Sequence, residues 1–209
     1  MKRVEYNYGK SNLVVSKFIS NCIASNGYIG TNWLDNIKIK RIKRFGYAGE
    51  RQFMIAHPFD GLDEPLYPEK LTAMMVELIG RVEYKKADCI IGLDATGIIP
   101  ATAASLLTGL PLRVAYKANL DIKNKIIFKE PGTPHPDVYI YNLPKGTKVI
   151  IVDDEIRSGR TMCNCIKAIK QCGSQVMDVI VPVESTKFGA RKKIKKLGYD
   201  LISYAQHDF

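Results

Sequence analysis

The sequence predicts an α/β fold in which a parallel β-sheet is flanked by helices. Val149–Val152 is an unbroken run of β-branched residues, which is how a strand covered on both faces reads. Ala87–Leu93 (ADCIIGL) reads as a second buried strand. Each run is followed by a few small or acidic residues and then by a helix-like stretch, Met162–Gln171 after the first and Ile98–Leu107 after the second. Strand, loop and helix repeated in that order imply a parallel sheet. Ligand sites in such sheets lie outside the carboxyl ends of the strands.

Taken in order, the chain divides into an N-terminal extension, 1–66, and a core, 67–209. In the extension, Ser11–Ala24 has helical spacing, with Leu13, Val14, Phe18, Ile19 and Cys22 on one side. A basic cluster, Lys38–Arg44 (KIKRIKR), follows. Tyr67–Tyr84 reads as a helix: Pro68 suits its first turn, and Leu71, Met74, Met75, Leu78 and Val82 form its apolar face. After the Ala87–Leu93 strand comes the turn Asp94-Ala95-Thr96-Gly97, and after the next helix Gly109 and Pro111 punctuate the chain. Leu112–Tyr116 is a further strand, ending in Tyr116-Lys117. Between Asn119 and Pro144, two strand-like pieces, Lys125–Phe128 and Val138–Tyr141, flank the turn EPGTPHPD. Gln175–Val183 is the last core strand, and ESTKFGARKKIKKLGYDLISYAQ leads through a basic helix into a final strand.

The composition excludes several classes. The 209 residues fit one domain with a small extension. No run of about 18 apolar residues is present, so no transmembrane helix is expected, and MKRVEYNYGK lacks the apolar core of a signal peptide. A cytoplasmic protein is the expectation. The five cysteines fit no disulfide framework, and Cys163 and Cys165, two apart on a helix, face different ways. The net charge of +10 suits polyanionic ligands. The second basic cluster, Arg191–Lys196, reads as a solvated helix face, with Ile194 and Leu197 marking its apolar stripe.

The densest chemistry lies in Val149–Thr161, VIIVDDEIRSGRT. Asp153 and Asp154 stand where the strand would end. Arg157, Ser158, Gly159, Arg160 and Thr161 then lead into a helix. The first N–H groups of a helix have no partner within it, and the helix dipole favours an anion there, so this loop suits a phosphate. Carboxylates beside a phosphate accept hydrogen bonds from sugar hydroxyls. The stretch resembles the phosphoribosyl diphosphate (PRPP) signature of type I phosphoribosyltransferases: four apolar residues, two acids, two mostly apolar residues and a small loop with Gly, ending in Ser or Thr. Glu155 and Arg157 depart from the usual residue types. GLDATGIIPATAAS and VES…GARKKIKKLGY are similar to stretches of adenine and xanthine phosphoribosyltransferases.

The resemblance implies transfer of a phosphoribosyl group from PRPP to a nucleobase with release of pyrophosphate. Asp153 and Asp154 would hold the ribose hydroxyls, directly or through Mg²⁺. Arg157, Ser158, Gly159, Arg160 and Thr161 would hold the 5′-phosphate. Asp94, Ala95, Thr96, Gly97 and Lys117 would serve the pyrophosphate, and Glu130 would act as acid–base residue. Ser185, Lys187 and Phe188 would meet the base. Residues 1–66 would include a variable hood over the base, and Asn119–Pro144 a flexible two-stranded flap. The acceptor is expected to be a purine, with adenine ahead of the 6-oxopurines because Ser185 stands where a Lys would bind O6. A homodimer is expected, with no membrane and no nucleic-acid partner. The rival readings are a non-catalytic PRPP sensor that binds nucleic acid, and an enzyme for a pyrimidine or a specialised heterocycle.

Overall fold

A computed structural model describes residues 37–45 and 52–208. The helix expected over Ser11–Ala24, and with it most of the hood, lies outside the described residues. The first described elements are β1 (Lys40–Lys43) and β2 (Phe53–Ala56), an antiparallel pair with Arg41 opposite Ile55. β1 is the first basic cluster. Its charges are partly engaged: Lys40 pairs with Asp63, and the Arg41 guanidinium lies 3.7 Å over the Phe53 ring.

The core follows as α1 (Pro68–Ile79), a short 3₁₀ turn (Tyr84–Lys86), β3 (Cys89–Leu93), α2 (Ile98–Thr108), β4 (Leu112–Tyr116), β5 (Lys125–Lys129), β6 (Asp137–Tyr141), β7 (Lys148–Val152), β8 (Glu155–Ile156), α3 (Arg160–Gln171), β9 (Gln175–Ser185), α4 (Ala190–Lys196) and β10 (Leu201–His207). The sheet runs β10-β9-β7-β3-β4-β6-β5, with β8 added beside β9. From β10 to β4 all neighbours are parallel, whereas β6 joins β4, and β5 joins β6, antiparallel. The α/β class with a parallel sheet between helices is the one the sequence predicts.

Helix α1 stops at Ile79, short of the expected Tyr84. Gly80 follows, and a glycine inside a helix costs about 1 kcal/mol relative to alanine. The two strand-like pieces after Asn119 do form a pair, and its inner strand β6 is hydrogen-bonded to β4, so the pair extends the central sheet. Phe128, Val138 and Ile140 are buried.

The strands are covered on both faces. Cys89, Ile91 and Leu93 of β3 join Val149 and Ile151 of β7 under Met162, Cys165, Ile166 and Ile169 of α3. Those four helix positions have the i, i+3, i+4, i+7 spacing of one face. Ile90 and Gly92 alternate to the other face. A side chain at Gly92 would place its Cβ 2.6 Å from Ala101 Cβ, so the glycine lets α2 lie directly on β3. Cys165 is fully buried and Cys163 only partly, which separates the two thiols as expected. Burial pushes the Cys165 thiol up and raises Cys89 to about 11.

β9 continues past the expected Val183 because β10 keeps pairing with it, Gln206 opposite Glu184 and His207 opposite Ser185. Glu184 is 2% exposed. Its carboxylate accepts from Arg191 Nε at 3.1 Å, from Arg191 Nη2, from Ser203 Oγ at 2.7 Å and from Gln206 Nε2 at 3.1 Å. Four donors fill its acceptor capacity. Arg191 also donates to Leu201 O at 2.6 Å, so the first residue of the basic cluster is a structural cation rather than a solvated one. Replacing one partner of a buried charge leaves the other unpaired. Arg191→Leu is therefore expected to lower the unfolding free energy by about 2 kcal/mol in urea titrations, the scale of a lost hydrogen bond to a charged group. A change under about 0.5 kcal/mol, the size of an ordinary surface substitution, would contradict this account.

Candidate active site

β3 lies between β4 and β7, so the chain leaves β3 for one side of the sheet and later returns on the other. A crevice opens at such a reversal, outside the carboxyl ends of the strands. The loops after β3 and β7 meet in it. Gly92 is opposite Val152 in the parallel register, which brings Asp94–Gly97 alongside Asp153. Contact is close at Gly97: a Cβ there would come within 2.5 Å of Asp153 Oδ1 and 2.6 Å of Leu93 O. The Asp94–Ala95 peptide bond is cis.

A cavity of about 230 Å³ occupies the crevice. Of the residues singled out from the sequence, it is lined by Asp94, Ala95, Thr96, Lys117, Glu130, Asp153, Asp154, Arg157, Ser158, Gly159, Arg160 and Thr161. Gly97 sits just behind, against Asp153. Asp94 Oδ2 accepts from the Lys117 backbone N–H at 3.2 Å, which fixes the end of β4 to the β3 loop. Lys117 Nζ is 3.0 Å from Glu130 Oε2.

The acid pair is held by the backbone. Asp153 N–H donates to Ile180 O at 3.2 Å, and Asp154 N–H donates to Asp153 Oδ1 at 3.0 Å. The two carboxyls titrate differently. Burial and the neighbouring Asp154 charge hold Asp153 well above the usual carboxylate range. Burial pushes Asp154 the same way, but the His57 imidazole and hydrogen bonds from Asp153 and Thr96 outweigh it and bring Asp154 below that range. The two carboxyls of the pair are thus pushed in opposite directions.

The phosphate-type loop ends at Gly159, whose φ of +71° is the left-handed conformation that favours glycine. A Cβ there would also sit 3.1 Å from Ala190 at the start of α4. Lys193, within the second basic cluster, donates from Nζ to Ser158 O at 2.8 Å and to Phe188 O at 3.2 Å, tying this loop to the one after β9. Arg157 Nη1 donates to Phe53 O at 2.7 Å, and its guanidinium lies 5.5 Å from the Phe188 ring.

The expected base contacts fare differently. Ser185, paired with His207 of β10 through the backbone register, is fully buried and does not line the cavity. Lys187 is exposed, and neither it nor Phe188 lines the cavity. The Phe188 ring lies beside the Arg157 guanidinium, which does line the cavity. In return, the cavity contains residues to which the sequence reading gave no place in the site: Arg44, from the first basic cluster, Met54 and Ile55 of β2, and Phe128 and Val138 from β5 and β6. His57 was missed too. It follows β2 and lies 3.8 Å from Asp154. Only the pattern HPFD, a His and an Asp closing one turn, could have drawn attention to it.

For a metal, the donors are hard oxygens. Among the described residues no group of three or more His, Cys, Asp or Glu could hold an ion. Mg²⁺ is commonly bound through one or two carboxylates together with substrate phosphates and water, and the Asp153–Asp154 pair fits that mode. Among the described residues no helix is long and apolar enough to cross a membrane.

Comparison with known proteins agrees with this geometry. Residues 68–207 match the model of the phosphoribosyl transferase domain family; the hairpin and His57 lie upstream of that stretch. The hypoxanthine/guanine phosphoribosyltransferase of Methanocaldococcus infernus is 31% identical over 77% of this chain and 87% of that protein. That of Methanobrevibacter ruminantium is 32% identical over 77% of this chain and 85% of its own length. The adenine phosphoribosyltransferase of Rhodothermus marinus has a similar fold, with a TM-score of 0.68 and 19% identity over 85% of this chain and all of that one. The match over residues 68–207, together with relatives 31% and 32% identical over 77% of the chain, places this protein in the phosphoribosyl transferase domain family, the pentosyltransferases that use PRPP.

Proposed function

We propose that this chain transfers the 5-phosphoribosyl group from PRPP to a purine, with hypoxanthine or guanine ahead of adenine. The observation that carries the reading is the convergence of both phosphate-type loops, the acid pair and Lys117 on one cavity. The loop Arg157–Thr161, at the N-terminus of α3, suits the 5′-phosphate. Asp94–Gly97 and Lys117 suit the pyrophosphate. Asp154, the member held below the usual carboxylate range, would accept hydrogen bonds from the ribose hydroxyls, with Asp153 beside it. Lys117, now paired with Glu130, would exchange that partner for the pyrophosphate and leave Glu130 to take a proton from the base. Mg²⁺, held by the acid pair together with the diphosphate, would supply charge neutralisation of the leaving group. The chain's own contribution is to fix the sugar between the two loops, where positive charge develops at the anomeric carbon as pyrophosphate leaves.

The preference for a 6-oxopurine departs from the expectation of adenine. One ground for that expectation, Ser185, is buried away from the cavity. Hypoxanthine and guanine differ from adenine in carrying an O6 acceptor where adenine has an amino group. The names of relatives at 31% and 32% identity support the same acceptors.

Competition among hypoxanthine, guanine, xanthine, adenine and orotate, at equal concentration with PRPP and Mg²⁺, tests the reading. Nucleotide products of hypoxanthine or guanine are expected to dominate. Dominance of adenine would reverse the base preference, and turnover of orotate alone would remove the purine assignment. Asp154→Asn is expected to cut kcat by about a hundredfold or more, about 2.7 kcal/mol of transition-state stabilisation, and Asp153→Asn by less. Equal losses would show that the charge is not concentrated on Asp154. For Gly159→Val, both the positive φ and the Ala190 contact predict a PRPP dissociation constant raised at least ~tenfold in calorimetry. An unchanged constant would remove the loop from the phosphate site.

A further inference from the structure

The turn His57–Asp60 packs beneath the acid pair from a part of the chain outside the strand–loop–helix core. Its anchor is Phe59, fully buried and edge-on to Tyr204 of β10 at 5.9 Å. The His57 side chain has no exposed surface. Its Nδ1 accepts a hydrogen bond from the Phe59 backbone N–H at 3.2 Å. A ring nitrogen that accepts carries no proton, so in the neutral ring the proton sits on Nε2. Nε2 lies 3.8 Å from Asp60 Oδ2 and 3.8 Å from Asp154 Oδ2, beyond hydrogen-bond reach of either. It is a buried donor with no partner at hydrogen-bond distance.

The two carboxylates are not equivalent targets. Asp60 is already engaged by the backbone: its Oδ2 accepts from His57 N–H at 2.8 Å and its Oδ1 from Leu62 N–H at 2.8 Å. Asp154 is one of the residues that line the cavity. A buried donor left unmade is unfavourable, and hydrogen bonds in a substrate-free site are often long and tighten when the substrate arrives. We infer that His57 is a positioning residue: its Nε2–H closes onto Asp154 Oδ2 when the sugar binds and orients that carboxylate toward the ribose hydroxyls, with Asp60 setting the ring through the turn. The inference rests on the proposed role of Asp154 at the ribose.

The experiment compares His57→Leu, which removes the donor, with His57→Gln, whose amide nitrogen reaches the Nε2 position. Ribose 5-phosphate and inorganic pyrophosphate are the calorimetric probes, alongside kcat and KM for PRPP. In His57→Leu, ribose 5-phosphate affinity and kcat are expected to fall at least ~tenfold while pyrophosphate affinity stays within about twofold, and His57→Gln is expected to recover to within about threefold of wild type. Equal weakening of both probes without recovery in His57→Gln would assign His57 a purely structural role and overturn the inference. So would wild-type values in His57→Leu. If His57→Leu does not fold, His57→Gln decides: its ribose 5-phosphate affinity stays near wild type if the inference holds and falls together with the pyrophosphate affinity if it does not. Absence of turnover with every base in the wild-type protein would count against the proposed function, whereas the two binding probes would still decide the role of His57.

Discussion

The site depends on the parallel pairing of β3 with β7. That register places two loops from distant parts of the sequence edge to edge, and Gly97 is where they touch. With hydrogen at that position, the backbone of one loop can lie against the Asp153 carboxyl of the other. Any larger residue would part the two loops and open the crevice on which the acid pair, Lys117 and the phosphate-type loop converge. Gly92 imposes the matching constraint from below, since it sets the depth of α2 against β3 and thereby the height of the Asp94–Gly97 turn. The chemistry is distributed over loops, but its precision comes from two glycines on or beside one strand.

Much of this was legible in the sequence, for a physical reason. Buried parallel strands and amphipathic helices write their environment into short windows: Val149–Val152, the spacing of Met162, Cys165, Ile166 and Ile169, and Leu112–Tyr116 all lie where the pattern put them. The acid pair and the phosphate-type loop were legible because they follow such a strand directly. The hairpin β1–β2 was not. Its strands are four residues each, and the basic residues of β1 mask any alternation. His57 was invisible for a different reason. Its role is defined by a distance to Asp154, nearly a hundred positions on, and no local window encodes it.

The stretch after β9 shows how a motif can be read with the right letters and the wrong orientation. Glu184 and Ser185 end a strand beside the site, and in sequence they look available. Pairing with β10 extends the strand through them and both are buried, with Glu184 gathering Arg191, Ser203 and Gln206. The basic helix was legible as amphipathic, with Ile194 buried as its spacing requires. Its cations nevertheless differ in kind: Arg191 compensates a buried charge, and Lys193 links the carbonyls of Ser158 and Phe188. Charge count alone cannot separate these roles, because they depend on which carbonyls and carboxylates lie opposite.

The antiparallel attachment of β6 to β4 has a mechanical consequence. Val138, Ile140 and Tyr141 are buried along β6, and swinging the whole ribbon away from the sheet would return them to water at roughly 1.5–3 kcal/mol for a side chain of this size. The ribbon is therefore hinged near its tip rather than at its root. The tip is the turn between Glu130 and Pro136, closed by a hydrogen bond from Glu130 N–H to Pro136 O at 2.6 Å. Bending confined to those few residues leaves the rest of the ribbon in the sheet, and Glu130, which lines the cavity, stands at the start of that turn.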